Sequence, residues 1–115
     1  MSESGVSDLP APGELVIESR IEDERVVLSL RGELDLTSVP AFERELQGSE
    51  STPRPWLLID MSGLEFMDST GLRALLQARE RAHSKGRRLT LRRGSRQVQR
   101  VLELTKTLDA FEFED

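Results

Sequence analysis

Two adjacent hydroxyls, Ser69 and Thr70, stand between an acid and a glycine in Asp68-Ser69-Thr70-Gly71, directly ahead of an amphipathic run. Ser, Thr and Asp are residue types that cap a helix, because their side-chain oxygens accept from backbone N–H groups of the first turn. The same place suits a phosphate, since open N–H groups and the helix dipole both favour negative charge. Two uses therefore compete: a cap at Asp68 or Ser69, or a phosphate acceptor at Ser69 or Thr70. Capping is the commoner of the two.

Other chemistries lack their residues. The chain has no cysteine, which removes disulfides, thiolate catalysis and thiolate metal sites together. Its one histidine, His83, lies in Arg81-Ala82-His83-Ser84-Lys85 near a helix end and fits a solvated or dipole-facing role. No Gly-x-Ser-x-Gly elbow surrounds Ser69, and His83 is about 20 Å away along the helix that Ser69 begins, so no Ser-His pair forms. Asp60 could stand for the acceptor of a receiver domain. Yet Glu33 and Asp35 follow the second strand instead of the first, and no lysine stands directly after the fourth. Neither a catalytic residue, a metal site nor a cofactor is expected.

To present Ser69 at a helix start, a strand must end before it. Trp56 to Ile59 is short and continuously apolar, which suits a central strand buried on both faces, with a loop over Asp60 to Ser69. After Ser69, the residues Leu72, Leu75, Leu76 and Ala82 share a helical face, and Lys85-Gly86 ends that helix. Upstream, Leu15 and Ile17 precede an acidic turn, Glu22-Asp23-Glu24, and Val26 to Leu30 resumes an extended run, so a hairpin is predicted. Gly32 to Ser38 leads into a helix with Pro40 in its first turn and Val39, Phe42 and Leu46 on its inner face. Gly48 to Pro55 is a loop. Downstream, Arg88 to Arg92 alternates as a strand with Leu89 and Leu91 inward. Ser95 caps a third helix bearing Val98, Val101, Leu102 and Thr105, and Phe111 and Phe113 mark a short last strand.

The order β-β-α-β-α-β-α-β is an α/β fold, a single-domain mixed sheet flanked by helices. Residues 1–13, rich in Ser, Gly and Pro, read as a disordered tail ahead of a domain over 14–115. In such sheets the functional loops gather beyond the carboxyl ends of the parallel strands. Asp35 and Thr37, after the second strand, therefore become neighbours of Ser69; alone, Asp35 reads as a cap or turn residue. Phe66 is expected to anchor its loop in the core, while Met67 is left between core and binding patch.

Charge is uneven. The net charge is −5, yet residues 81–100 hold eight of the sixteen basic residues and no acidic one. With no aromatic stacking residue in that run, a solvated face or a docking surface for an acidic protein fits better than nucleic acid. No apolar run is long enough to cross a bilayer, and no leader-like segment opens the chain, so a soluble, cytoplasmic protein is expected.

The run Ile59-Asp60-Met61-Ser62-Gly63-Leu64-Glu65-Phe66-Met67-Asp68-Ser69-Thr70-Gly71-Leu72, with the earlier Gly32-Glu33-Leu34-Asp35, closely resembles the signature of the STAS family, specifically the bacterial anti-sigma factor antagonists. The resemblance spans residues 14 to 113 in element order. It implies a non-enzymatic switch that binds an anti-sigma factor when unphosphorylated and so releases a sigma factor. That partner is also an ATP-dependent serine kinase, and a serine phosphatase reverses its action. The acceptor is then Ser69, with Thr70 the alternative, and partner contacts are expected at Asp35, Thr37, Met67, Asp68, Ser69, Thr70, Gly71, Leu72 and Arg73. Many members carry glycine where this chain has Arg73, one turn beyond Ser69 and able to pair with a phosphate there. STAS domains also serve as non-switching interaction modules, in lipid-transport complexes, anion transporters and stress-signalling scaffolds.

Overall fold

The computed structural model describes residues 11, 13–51 and 54–114. Most of the segment read as a disordered tail, 1–10 and 12, lies outside the described residues. The elements are β1 (Leu15–Glu22), β2 (Arg25–Leu34), α1 (Val39–Ser49), β3 (Trp56–Met67), α2 (Ser69–Ser84), β4 (Arg88–Arg92), α3 (Arg96–Leu104), a 3-10 turn (Leu108–Ala110) and β5 (Glu112–Glu114). They form one five-stranded sheet in the order β1-β2-β3-β4-β5, with β1 antiparallel to β2 and every later pair parallel. This is the predicted mixed α/β architecture.

Each element has a local cause. The hairpin turns at Asp23-Glu24, where Asp23 takes a φ of 55°, a conformation that Asp tolerates better than most residues. Asp68 caps α2 and Ser95 caps α3, their side chains accepting from Gly71 N–H and Val98 N–H. At the far end of α2, Gly86 has a φ of 70°; its N–H and that of Arg87 donate to His83 and Ala82 carbonyls, closing the helix as the Lys85-Gly86 pair predicts.

Every parallel step moves one place in the same direction, so right-handed crossovers put all three helices on one face of the sheet. The core lies between: Val26, Leu28 and Leu30 of β2, Leu57, Ile59 and Met61 of β3, and Leu91 of β4 meet Phe42, Leu75 and Leu102 of the helices.

Among the described residues the opposite face has no helix over it, yet Val27 and Leu58 there are fully buried. Their cover is charged. Arg25 joins Glu22 and Glu114, each at 2.9 Å, while Arg92 joins Asp60 at 3.0 Å and Glu114 at 2.8 Å; Arg88 pairs with Glu112. Trp56 is held between Arg25 and Arg88, whose guanidinium carbons lie 4.8 and 4.5 Å from its ring centre, and its N–H donates to the Thr90 hydroxyl at 2.8 Å. The basic run is thus largely spent inside the molecule. Arg81 also pairs, with Glu50, and Arg87 donates to the Arg54 carbonyl.

The main departure from expectation is the length of β3. The strand does not end at Ile59 but continues through the stretch read as a loop, as far as Met67. From Ser29↔Asp60 to Leu34↔Met67, five residues of β2 advance against seven of β3, so two extra residues are absorbed as bulges. Asp60 is therefore a buried mid-strand residue and not a loop acid. Burial works to raise its pKa, but the Ser62 N–H and hydroxyl and the Arg92 guanidinium hold it below the usual aspartate value.

Candidate functional site

The carboxyl ends of β2 and β3 form the rim. Leu34 and Met67 are paired across the two strands, so Asp35 and Asp68 leave the sheet side by side, and the Asp68 N–H donates to the Leu34 carbonyl at 3.3 Å. The first turn of α2 is pressed against the same point. A Cβ on Gly71 would lie 2.4 Å from the Leu34 carbonyl oxygen and 2.8 Å from Met67 Cγ. Only glycine lets the helix begin this close to β2.

Asp68 supplies the cap: its Oδ1 accepts from Gly71 N–H at 2.9 Å. The choice left open between Asp68 and Ser69 is thereby settled, and the Ser69 hydroxyl is left free of capping. Ser69 is exposed at the first helical position, Thr70 is half-buried behind it, and both contribute N–H groups to a helix end that offers them no intrahelical acceptor. Arg73 is exposed one turn further along.

Asp35 is used locally. Its carboxylate accepts from the Thr37 hydroxyl at 2.8 Å, the Thr37 N–H at 3.0 Å and the Ser38 N–H at 3.2 Å. The Thr37 hydroxyl bond is the largest of the effects that hold the Asp35 carboxyl below its ordinary value. Ser38 completes the turn, donating to the Glu33 carbonyl at 2.8 Å and accepting from Asp35 N–H at 3.0 Å. Asp35 is thus a turn residue and also an ionised neighbour of the Asp68-Ser69 corner.

The contact residues expected from the sequence divide by exposure. Thr37, Ser69 and Arg73 are exposed, and Asp35, Asp68 and Thr70 are half-buried. Met67, Gly71 and Leu72 are buried and hold the corner up from beneath. The expected anchor is corrected as well: Phe66 is 39% exposed, whereas Met67 is fully buried. The two bulges in β3 reset the alternation and turn Phe66 outward. Leu36, 70% exposed, adds a second apolar side chain to this rim.

Sequence reasoning missed Gln97. Beyond Asp60↔Arg92, β3 has no β4 residue beside it, and the start of α3 takes that place. Ser95 N–H donates to the Leu64 carbonyl and its hydroxyl to the Glu65 carbonyl, while the Gln97 side-chain amide accepts from Met67 N–H at 2.9 Å and donates to Met67 C=O at 3.1 Å. One glutamine thus imitates a neighbouring strand for the residue next to Asp68. A polar residue at the second position of a helix carries no signal of that use.

Among the described residues no group of three His, Cys, Asp or Glu gathers as a metal site, and no helix is long and apolar enough to cross a membrane.

An anti-sigma factor antagonist from Mycobacterium paratuberculosis is similar at 28% identity and a TM-score of 0.82, over 91% of this chain and 89% of that one. The anti-sigma factor antagonist SpoIIAA in its unphosphorylated form matches at 21% identity and a TM-score of 0.71, over 89% of each chain. The Bacillus cell fate determinant SpoIIAA in the phosphorylated form matches at 20% identity and a TM-score of 0.65, over 89% of this chain and 92% of that one. The last two likenesses are of fold. A family model described as "Mlab, STAS domain" matches residues 17–108, from the hairpin to the turn before β5, and the chain accordingly belongs to the STAS-domain family.

Proposed function

We propose that this protein is an anti-sigma factor antagonist switched by phosphorylation of Ser69. In the unphosphorylated form it binds an anti-sigma factor that is also its serine kinase, so that a sigma factor is released; a serine phosphatase restores the binding form. The observation that carries the reading is the exposed Ser69 hydroxyl at the start of α2, left free because Asp68 holds the cap. Its exposure favours it over the half-buried Thr70. A similar fold is known in both an unphosphorylated and a phosphorylated form.

The chemistry of the corner fits such a switch. A phosphate adds about −1.5 to −2 charges at neutral pH, and a helix N-terminus accepts negative charge, so the domain need not unfold to respond. The added charge falls beside Asp35 and Asp68, on a rim that also presents Leu36 and Phe66, and a surface fitted to the free serine would be repelled. Arg73 stands one turn away and offsets part of that charge.

The test is phosphate mapping after incubation with ATP and the candidate kinase, followed by binding assays on wild type, Ser69→Ala and Ser69→Asp. Wild type and Ser69→Ala are expected to bind, and Ser69→Asp to bind at least about tenfold more weakly, about 1.4 kcal/mol or more. Equal binding by all three rejects the switch. A second reading, a STAS interaction module that is bound but never phosphorylated, rests on the family membership alone; it predicts that equality.

A further inference from the structure

We propose that β1 pairs with β1 of a second copy, joining two five-stranded sheets into one of ten strands. β1 is an edge strand of eight residues, in unbroken register with β2 and free of proline and bulge, two of the devices that blunt an edge; the charged side chains it does carry, Glu18, Arg20 and Glu22, act instead to select a register.

The hydrogen-bond phase fixes which groups face out. The Glu33 N–H donates to the Glu14 carbonyl at 2.9 Å, so residues 14 and 33 form a hydrogen-bonded pair. Such pairs alternate along an antiparallel ladder. Residues 16, 18, 20 and 22 therefore point their backbone groups at β2, and Ile17, Ser19 and Ile21 point theirs outward.

An antiparallel partner related by a two-fold axis must pair outward residues with outward residues, which leaves few registers. With Ser19 facing Ser19 of the second copy, Ile17 faces Ile21 in both directions, and Glu18 faces Arg20 in both directions. Sliding the partner to the next allowed position on one side sets Glu18 against Glu18. The position on the other side sets Arg20 against Arg20 and Glu18 against Glu22. Like charges directly opposite are destabilising, so of these three only the Ser19-centred register is complementary.

The side chains match the same register. Ile21 lies opposite Val26, on the helix-covered face, but is 51% exposed because no described helix reaches it. In the pair it lies against Ile17 of the second copy. Glu18 and Arg20 are exposed on the other face, where Arg20 already reaches Glu22 and Ser29 and would exchange a solvated contact for one across the seam. An edge of eight residues falls short of a permanent interface, so the association is weak and concentration-dependent. Because β1 starts beside the end of β2, the two-fold places the two Ser69 rims at opposite ends of the joined sheet, both open.

Sedimentation equilibrium from micromolar to millimolar protein tests this, with folding of each variant checked by circular dichroism. Wild type is expected to dimerise. Arg20→Glu and Glu18→Arg should each weaken self-association by about tenfold, because two symmetry-related pairs turn repulsive, and the double charge swap should restore it. Ser19→Pro removes an outward N–H without touching the β2 ladder and should give a folded monomer. Amide exchange at Ile17, Ser19 and Ile21, but not at Glu18 or Arg20, should slow as concentration rises. A wild-type protein that stays monomeric at millimolar concentration, or a charge swap that fails to restore what the single reversals remove, overturns the proposal.

Discussion

At the scale of single residues, the corner that carries Ser69 depends on what is missing beneath it. Gly71 sits in the first turn of a helix, where alanine would ordinarily gain about 1 kcal/mol. Here a Cβ would be driven into the Leu34 carbonyl, so the steric cost decides the sign. Gly71→Ala is expected to destabilise the protein by about 1–3 kcal/mol. At Gly48, late in α1, an added Cβ would meet nothing within 4 Å, and Gly48→Ala should stabilise by about 0.5–1 kcal/mol. Urea denaturation of both variants checks the opposite signs. The corner was only partly legible. Asp68-Ser69-Thr70-Gly71 declared a helix start because capping types and an apolar period met there, but a sequence does not say which of two adjacent oxygens takes the cap. Phe66 and Met67 were harder still, since their orientations depend on two bulges that no simple alternation reveals.

At the scale of elements, the order of strands and helices was legible because each has its own period and punctuation: alternation at Arg88 to Arg92, a cap at Ser95, a stop at Lys85-Gly86. The length of β3 was not. Asp60, Ser62, Gly63 and Glu65 look like a loop, and they remain in a strand because Arg92 neutralises the buried acid and β2 accommodates the extra residues. The end of that strand is held by α3, through Gln97 on both sides of the Met67 peptide groups. Gln97→Ala leaves a donor and an acceptor without their partner and should cost about 1–3 kcal/mol. Amide exchange should then quicken at Met67, Asp68 and Ser69 while β4 stays protected. Uniform loss of protection would mean that Gln97 serves the core and not the corner. Through this clamp the third helix helps to set where Ser69 stands.

At the scale of the whole molecule, the sheet is covered by helices on one face and by ion pairs on the other. The basic cluster at 81–100 could be counted from the sequence, but its partners could not, because Asp60, Glu112 and Glu114 come from β3 and β5, strands apart in the chain, and Glu22 of β1 joins the same cover through Arg25. Each of these carboxyls is held below its ordinary value: Glu22 chiefly by Arg25, Glu112 by Arg88 and Glu114 by Arg92, while at Asp60 burial pulls the other way and is outweighed by its hydrogen bonds and Arg92. A carboxyl depressed in the fold stabilises it above its unfolded pKa, and that stabilisation is lost as pH falls through the folded value. The melting temperature should therefore be level between about pH 7 and 5.5 and fall progressively below about pH 5, where unfolded carboxylates begin to bind protons. The double variant Asp60→Asn, Glu114→Gln should show a lower plateau and a shallower drop; an unchanged slope would assign the acid sensitivity elsewhere. Trp56, the only tryptophan, lies between two arginines of this cover. Its emission is consequently an intrinsic optical gauge, able to register the opening of the charged face without any label, in the same cuvette in which the rest of the fold is followed by circular dichroism.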